Sequence, residues 1–268
     1  MFKYKMDELE QYLKGNYCYD EYDLEKIMNK KIIITDKHVK AINIDYYHFK
    51  CSDFNILSLF EKYGYVFTND IYILLINKNG NIIKYISEDK KTDELCKMAV
   101  RQNGYSLHFI QENKKSDEIC EIAVQQYGCA LFSVPENKKT EQVCKLAVQQ
   151  DGCALYFVPD NKKTDELCKI AVQEEGFVLN YIPENKKTLE ICKIAVRQNN
   201  HALEYVPEDK KTNEICKIAV RQNGNALEFV PENKKTDKLC KIAMRQNMYA
   251  LEFVPNNKKY LFIKKMKK

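Results

Sequence analysis

The stretch that decides the fold is residues 159–182, which read PDNKKTDELCKIAVQEEGFVLNYI. The same pattern recurs with a 24-residue period, and one cysteine marks each copy, at Cys96, Cys120, Cys144, Cys168, Cys192, Cys216 and Cys240. Seven complete copies fill residues 87–254 without insertion or deletion, and a half copy begins at Pro255. A strict period of this kind indicates a repeat protein whose units occupy equivalent places in a stack.

Each copy predicts one α-helix followed by a much shorter helical segment. Thr164 precedes Asp165, Glu166 and then an apolar pattern, as expected for an N-cap and an acidic first turn. A glycine such as Gly176 is predicted to end the helix, because glycine most easily adopts the left-handed conformation that follows a helix. The residues between this glycine and the next proline are enough for one or two turns, of α or 3₁₀ type.

The predicted fold class is therefore mainly α, an α-solenoid of seven two-helix repeats. One helix and a short segment cannot bury an apolar face alone, so neighbouring copies must stack to form a continuous core. Two small or apolar columns are identical in every copy and are the expected contacts between copies. They are Ala99, Ala123, Ala147, Ala171, Ala195, Ala219 and Ala243, and Leu107, Leu131, Leu155, Leu179, Leu203, Leu227 and Leu251.

One motif resembles the short helical repeats of an uncharacterised domain family of bacteria and large DNA viruses: Ala147-Val148-Gln149-Gln150-Asp151-Gly152-Cys153-Ala154-Leu155. The resemblance covers residues 87–254. It implies a helical repeat fold and carries no catalytic residues. The period is also similar to that of leucine-rich variant repeats, which alternate α- and 3₁₀-helices, although their sequence pattern differs.

The two ends of the chain do not follow the period. Residues 1–86 are predicted to form a small α+β domain that caps the first repeat, with helices near 7–14, 20–30 and 53–62. Within it, Ile71–Ile76 and Ile82–Ile86 flank Asn79-Gly80, which is a good β-hairpin signal. Residues 255–268 are predicted to be a half repeat with a basic tail.

Composition predicts a soluble protein in a reducing compartment. The 45% hydrophobic content, together with a net charge of only +5, excludes disorder as the main state. There is no apolar run of membrane-spanning length and no signal-peptide pattern at the start. We therefore expect the cytoplasm, or the host cytoplasm if the protein is viral, no association with a membrane, and reduced thiols.

No catalytic, metal or cofactor site is predicted, and the protein is expected not to be an enzyme. Helices in a stack lie about 8–10 Å apart, which is too far for equivalent cysteines to form disulfides. Zinc spacing is absent, because there is no Cys-x-x-Cys pair and the four histidines are scattered. The cysteine column is predicted to be buried and structural, with Cys129 and Cys153 more exposed.

Paired lysines recur in every copy, from Lys90-Lys91 to Lys258-Lys259. They would form two basic rows, and such rows can track phosphates. Each pair is also preceded by Glu or Asp and followed by an acidic helix start, which favours a solvated, self-neutralised edge. The net positive charge of the chain comes entirely from residues 255–268, which contain six basic residues and no acidic residue.

We call the set of residues at one position of the repeat a column. Two columns vary freely from copy to copy, namely the residue after the glycine and the residue three further on. Over the first four copies they are mostly aromatic and uncharged, and over the last three the second column is acidic. Residues that vary on a constant scaffold commonly form the binding face of a solenoid, and aromatic side chains are typical interface anchors. The predicted partner-binding residues are Tyr105, His108, Cys129, Phe132, Cys153, Tyr156 and Phe177.

The leading hypothesis is a non-enzymatic scaffold that binds a protein partner along these residues. One alternative is nucleic-acid binding through the lysine rows and the basic tail, and another is a host-directed inhibitor from a virus or bacterium. Completion of the local core by the same aromatic side chains stays open beside them. The oligomeric state and the identity of the partner are not predicted.

Overall fold

The computed structural model of the chain describes residues 56–260, in which all regular structure is helical and no strand occurs. Nine complete α-helices follow one another in this part, and residues 256–260 are also helical. The nine helices are α1 (Ile56–Lys62), α2 (Asn69–Lys78), α3 (Asp93–Gln102), α4 (Asp117–Gln126), α5 (Glu141–Gln150), α6 (Asp165–Glu174), α7 (Leu189–Gln198), α8 (Asn213–Gln222) and α9 (Asp237–Gln246). The mainly α fold built of tandem helical repeats is confirmed.

Each helix from α2 to α9 is followed by a six-residue 3₁₀-helix, so the short second segment of the repeat is of the 3₁₀ type. These helices are Gly80–Tyr85, Gly104–Phe109, Gly128–Ser133, Gly152–Phe157, Gly176–Tyr181, Asn200–Tyr205, Gly224–Phe229 and Met248–Phe253. A second, three-residue 3₁₀ turn precedes the next α-helix at Glu112–Lys114, Glu136–Lys138, Asp160–Lys162, Glu184–Lys186, Glu208–Lys210 and Glu232–Lys234.

The starts of helices α3 to α9 follow the sequence prediction. Thr164 has an extended backbone, and its hydroxyl accepts a hydrogen bond from the backbone N–H of Leu167 at 3.2 Å. Ser116 does the same for Ile119 at 3.3 Å. These caps satisfy a backbone N–H that has no partner within the helix.

The end of each helix differs from the prediction of a left-handed glycine. Among the described glycines, only Gly64 has a positive φ, and it lies outside the repeat pattern. The repeat glycine is the first residue of the 3₁₀-helix. At Gly176 the next repeat approaches closely, because a Cβ there would lie 2.4 Å from the backbone oxygen of Ala195. Asn200 takes the same position one repeat later. Met248 takes the glycine position in the last described repeat, where its side chain is exposed.

The predicted β-hairpin is wrong, because residues 63–86 form one more helical repeat. Thr68 precedes α2, and Gly80 begins the following 3₁₀-helix, each one repeat period before Thr92 and Gly104. The Asn79 side chain accepts a hydrogen bond from the backbone N–H of Asn81 at 2.9 Å and so caps the 3₁₀-helix. The predicted helix near 53–62 is present as α1, while the helices predicted near 7–14 and 20–30 lie outside the described residues.

The chain divides into two compact units, Met1–Pro135 and Glu136–Lys268. In each unit the helices of successive repeats pack on one another, with α2–α4 in the first and α5–α9 in the second. The marker cysteine and the repeat alanine are fully buried in both units, and so is the repeat leucine up to Leu227. This close packing around small side chains is what the sequence predicted.

Candidate partner-binding surface

The two variable columns share one face because they lie on 3₁₀-helices. With three residues per turn, side chains three positions apart are eclipsed. Tyr105 and His108 are such a pair, and their ring centroids lie 5.7 Å apart. The side chain of Asn103 fixes the start of this turn by accepting a hydrogen bond from the backbone N–H of Tyr105 at 3.0 Å.

In the first unit, three predicted residues come together as what we call the first aromatic cluster: Tyr105, His108 and Phe132. The centroid of the Phe132 ring lies 6.0 Å from that of Tyr105 and 5.3 Å from that of His108. All three side chains are exposed, with Tyr105 and Phe132 each at 38%. The hydroxyl of Ser133 lies 3.4 Å from Nδ1 of His108 and helps to orient that ring. Cys129 is half-buried.

In the second unit, the rings of Tyr156 and Phe177 both contact Tyr181, a residue that the sequence analysis did not select. The Tyr156 ring is 60% exposed and packs edge-on against Tyr181 at 5.0 Å, and Phe177 contacts the same ring at 6.4 Å. Phe157 adds a further edge contact to Tyr156 at 5.0 Å. We call these four side chains the second aromatic cluster. Cys153 is half-buried.

Tyr181 and Phe157 belong to a half-buried aromatic column that the sequence analysis did not consider. Its other members are Phe109, Tyr205, Phe229 and Phe253. The rings of Tyr105 and His108 both pack edge-on against Phe109, at 5.6 and 5.3 Å. The column therefore supports the exposed rings from below. Tyr127 is a second exposed aromatic residue that was missed, because it lies at the helix end rather than in a variable column.

Beyond the second aromatic cluster, the second variable column turns polar and then acidic, as the sequence predicted. Its remaining side chains are all exposed, and they are Asn180, Glu204, Glu228 and Glu252. The exposed surface of the 3₁₀-helices in the second unit thus changes from aromatic to acidic along the chain.

The cysteine column is buried, as predicted. None of the nine cysteines of the described residues forms a disulfide. The Cys216 thiol donates to the backbone oxygen of Lys211, with Sγ 3.6 Å away. Burial raises the pKa of Cys168 and of Cys192 to about 11, and burial together with the Asp151 carboxylate does the same for Cys153. Thiols with a raised pKa are poor nucleophiles at neutral pH.

The paired lysines are structural tethers, so their interpretation as a solvated edge is wrong for the second lysine of most pairs. Lys91, Lys163, Lys187, Lys211 and Lys235 are buried. The ammonium of Lys187 donates to the backbone oxygen of Tyr205 at 3.1 Å and pairs with Glu184 at 2.6 Å. The expected neutralisation by the preceding acidic residue is confirmed in these five repeats.

The first lysine of a pair reaches back to the preceding repeat. Lys114 donates to the backbone oxygen of Lys91 at 2.8 Å, and Lys234 donates to that of Lys211 at 2.5 Å. The Lys211 oxygen thereby accepts from both the Cys216 thiol and the next repeat. At these positions the ammonium groups of the basic rows are thus hydrogen-bonded to backbone carbonyls.

In the part of the chain that the structure describes, no group of three or more His, Cys, Asp or Glu side chains is arranged to hold a metal ion. Over the same residues, no helix combines the length and the apolar character that crossing a membrane requires.

A family model matches this architecture six times. The model is that of a domain of unknown function, DUF4116, and it matches residues 69–113, 116–162, 140–187, 164–209, 188–233 and 212–257. These matches cover well over half of the chain. The chain belongs to this family. Each DUF4116 match spans about two of the 24-residue repeats, and the first one includes the additional repeat that contains α2. No curated protein and no solved structure matches the chain.

Proposed function

We propose that this DUF4116 protein is a non-enzymatic scaffold that binds a protein partner through its exposed aromatic side chains. The observation that carries the proposal is the first aromatic cluster, in which three exposed rings contact one another on a helical scaffold. Tyrosine and phenylalanine offer a large contact area with few rotatable bonds, so little entropy is lost when they are covered.

The scaffold supports this role because the polar groups that recur in every repeat mostly serve to hold the helices together. Buried lysines such as Lys187 are bonded to a backbone carbonyl or a carboxylate, the marker cysteines are buried, and N-cap hydroxyls such as that of Thr164 are hydrogen-bonded. The variable columns are left as the surface that differs from repeat to repeat. A surface that varies on a constant frame is how repeat proteins choose their partners.

The experiment compares the variant Tyr105→Ala/Phe132→Ala with Tyr249→Ala as a matched control. Tyr249 occupies the same column as Tyr105 and is 83% exposed, but its neighbour three residues on is Glu252 rather than an aromatic residue. Each tagged protein is incubated with extract of its native cells, with and without nuclease, and the helical circular dichroism spectrum verifies folding.

We expect a protein partner that the wild type and Tyr249→Ala retain and that the double variant loses, whether or not nuclease is present. Equal recovery by both variants would place the partner elsewhere on the chain. Recovery that disappears with nuclease would instead favour the alternative of nucleic-acid binding.

A further inference from the structure

A ladder of ion pairs links successive helices in the second unit. The lysine that follows each marker cysteine pairs with a carboxylate in the first turn of the next helix. Lys145 pairs with Glu166 at 3.0 Å, and Lys169 pairs with Glu190 at 2.5 Å. The third pair of the series joins α7 to α8, between Lys193 and Glu214.

The ladder is interrupted between α8 and α9, where a lysine replaces the carboxylate of the next pair. Lys217 is the lysine of this step, but the position of its expected partner is occupied by Lys238. In residues 56–260, neither ammonium forms an ion pair or hydrogen bond. Lys217 is half-buried, so its charge is only partly hydrated.

Both lysines line a shallow cavity of about 180 Å³ together with Lys234, Asn213 and Thr236. Its base is apolar and consists of Leu239 and Ile242. The side chain of Lys234 forms one described hydrogen bond, to the backbone oxygen of Lys211, which uses one of the three N–H groups of its ammonium. The cavity is therefore rich in donors and holds no carboxylate.

An equivalent cavity between α5 and α6 provides the comparison within the same unit. It measures about 240 Å³ and is lined by Lys145 and Lys162 but also by Glu141 and Glu166, over Leu167 and Ile170. The charges of its two lysines and two glutamates cancel, whereas the three lysines that line the α8–α9 cavity give it a formal charge of +3. Two substitutions separate them, because Asn213 and Lys238 stand where the other cavity has glutamates.

We propose that the α8–α9 cavity binds a phosphate monoester or inorganic phosphate. A phosphate carries about −1.5 to −2 charges at neutral pH, so it complements three ammonium groups better than one carboxylate does. The chain's own carboxyl-terminal segment does not supply the anion, because residues 255–268 carry six lysines and no acidic residue. The site shares no residue with either aromatic cluster, so it stands whether or not the proposed function does.

The test titrates the full chain with inorganic phosphate, O-phosphoserine and acetate at constant ionic strength, followed by calorimetry and by amide NMR shifts. Wild type is compared with Lys238→Glu, which restores the regular ion-pair ladder. Glu141→Asn/Glu166→Lys is the gain-of-function variant, because it gives the α5–α6 cavity the same set of charged residues. Circular dichroism verifies that each variant is folded.

We expect phosphate to bind the wild type at one site, with shifts centred on α8 and α9. Lys238→Glu should weaken binding about tenfold or more, since two charges change at ion-pair distances. The double variant should bind a second equivalent. Tighter binding of O-phosphoserine would identify a phosphorylated side chain as the source, and tighter binding of inorganic phosphate would identify the free anion. Binding that Lys238→Glu leaves unchanged, no binding to the wild type, or acetate binding as tightly as phosphate would each overturn the proposal.

Discussion

Replacing the buried lysine of one repeat by methionine tests whether the lysine pairs hold the repeats together. Lys187 is 5% exposed, and its ammonium bonds to the Tyr205 carbonyl at 3.1 Å and to Glu184 at 2.6 Å. Methionine keeps most of the apolar stem, so the loss of the polar contacts dominates. A hydrogen bond from a charged donor is worth about 1.5–3 kcal/mol. The pair with exposed Glu184 adds at most about 1 kcal/mol. Lys187→Met should therefore lower the free energy of unfolding by about 1.5–4 kcal/mol.

Lys169→Met is the matched control in the same unit. Lys169 pairs with Glu190 at 2.5 Å, but both side chains are exposed, so its loss should cost no more than about 1 kcal/mol. Urea unfolding followed by circular dichroism measures both variants, with the slope used to check that the transition stays cooperative. Equal midpoints for the two variants would refute the reasoning, because the second lysine would then behave as a surface charge.

Three further predictions concern the repeat frame. Gly176→Ala and Gly176→Asn should both destabilise the protein by about 1–3 kcal/mol in urea unfolding, because any Cβ meets the Ala195 oxygen; a well-tolerated Asn would instead support a left-handed glycine. The raised pKa of Cys192 means that the folded state holds its proton more tightly than the unfolded state, so stability should fall as pH rises from about 9 to about 11. Cys192→Ala should make the decrease of the unfolding free energy with pH less steep. An unchanged pH dependence would show that the Cys192 thiol does not cause it. Thr164→Ala should cost about 1 kcal/mol through loss of the cap to Leu167, as measured by thermal unfolding against wild type.

The sequence predicted what one repeat determines by itself. The N-cap threonine, the short second helix and the burial of the cysteine all follow from the pattern inside a single copy. The hairpin at Asn79-Gly80 failed because the marker cysteine and the repeat alanine are replaced there by Tyr72 and Leu75. Without the cysteine and the alanine, the repeat is not recognisable in this segment. The prediction then rested on the local Asn79-Gly80 turn signal alone. Tyr72 and Leu75 are buried on the packed face of α2, as their counterparts are in later repeats.

Features that depend on a neighbouring segment were not predictable from residue type. Gly176 marks a close approach of the next helix, and that is visible only once the Ala195 oxygen is placed. A lysine beside an acidic residue looks solvated until a carbonyl such as that of Tyr205 is found within reach. The role of Tyr181 under Tyr156 likewise required the positions of two repeats. The selection of Tyr156 itself needed only the variable column, and its exposure agrees with that choice.

The central claim is that the exposed aromatic side chains contact a protein partner, and site-specific photo-cross-linking tests it most directly. The photoreactive amino acid p-benzoylphenylalanine is placed at Phe132 in one protein and at Tyr249 in another, and each is irradiated in extract of its native cells. Position 132 should give a discrete, nuclease-resistant cross-link to a protein, and position 249 should not. Identical patterns at the two positions, or no cross-link at position 132 in a folded protein, would contradict the account.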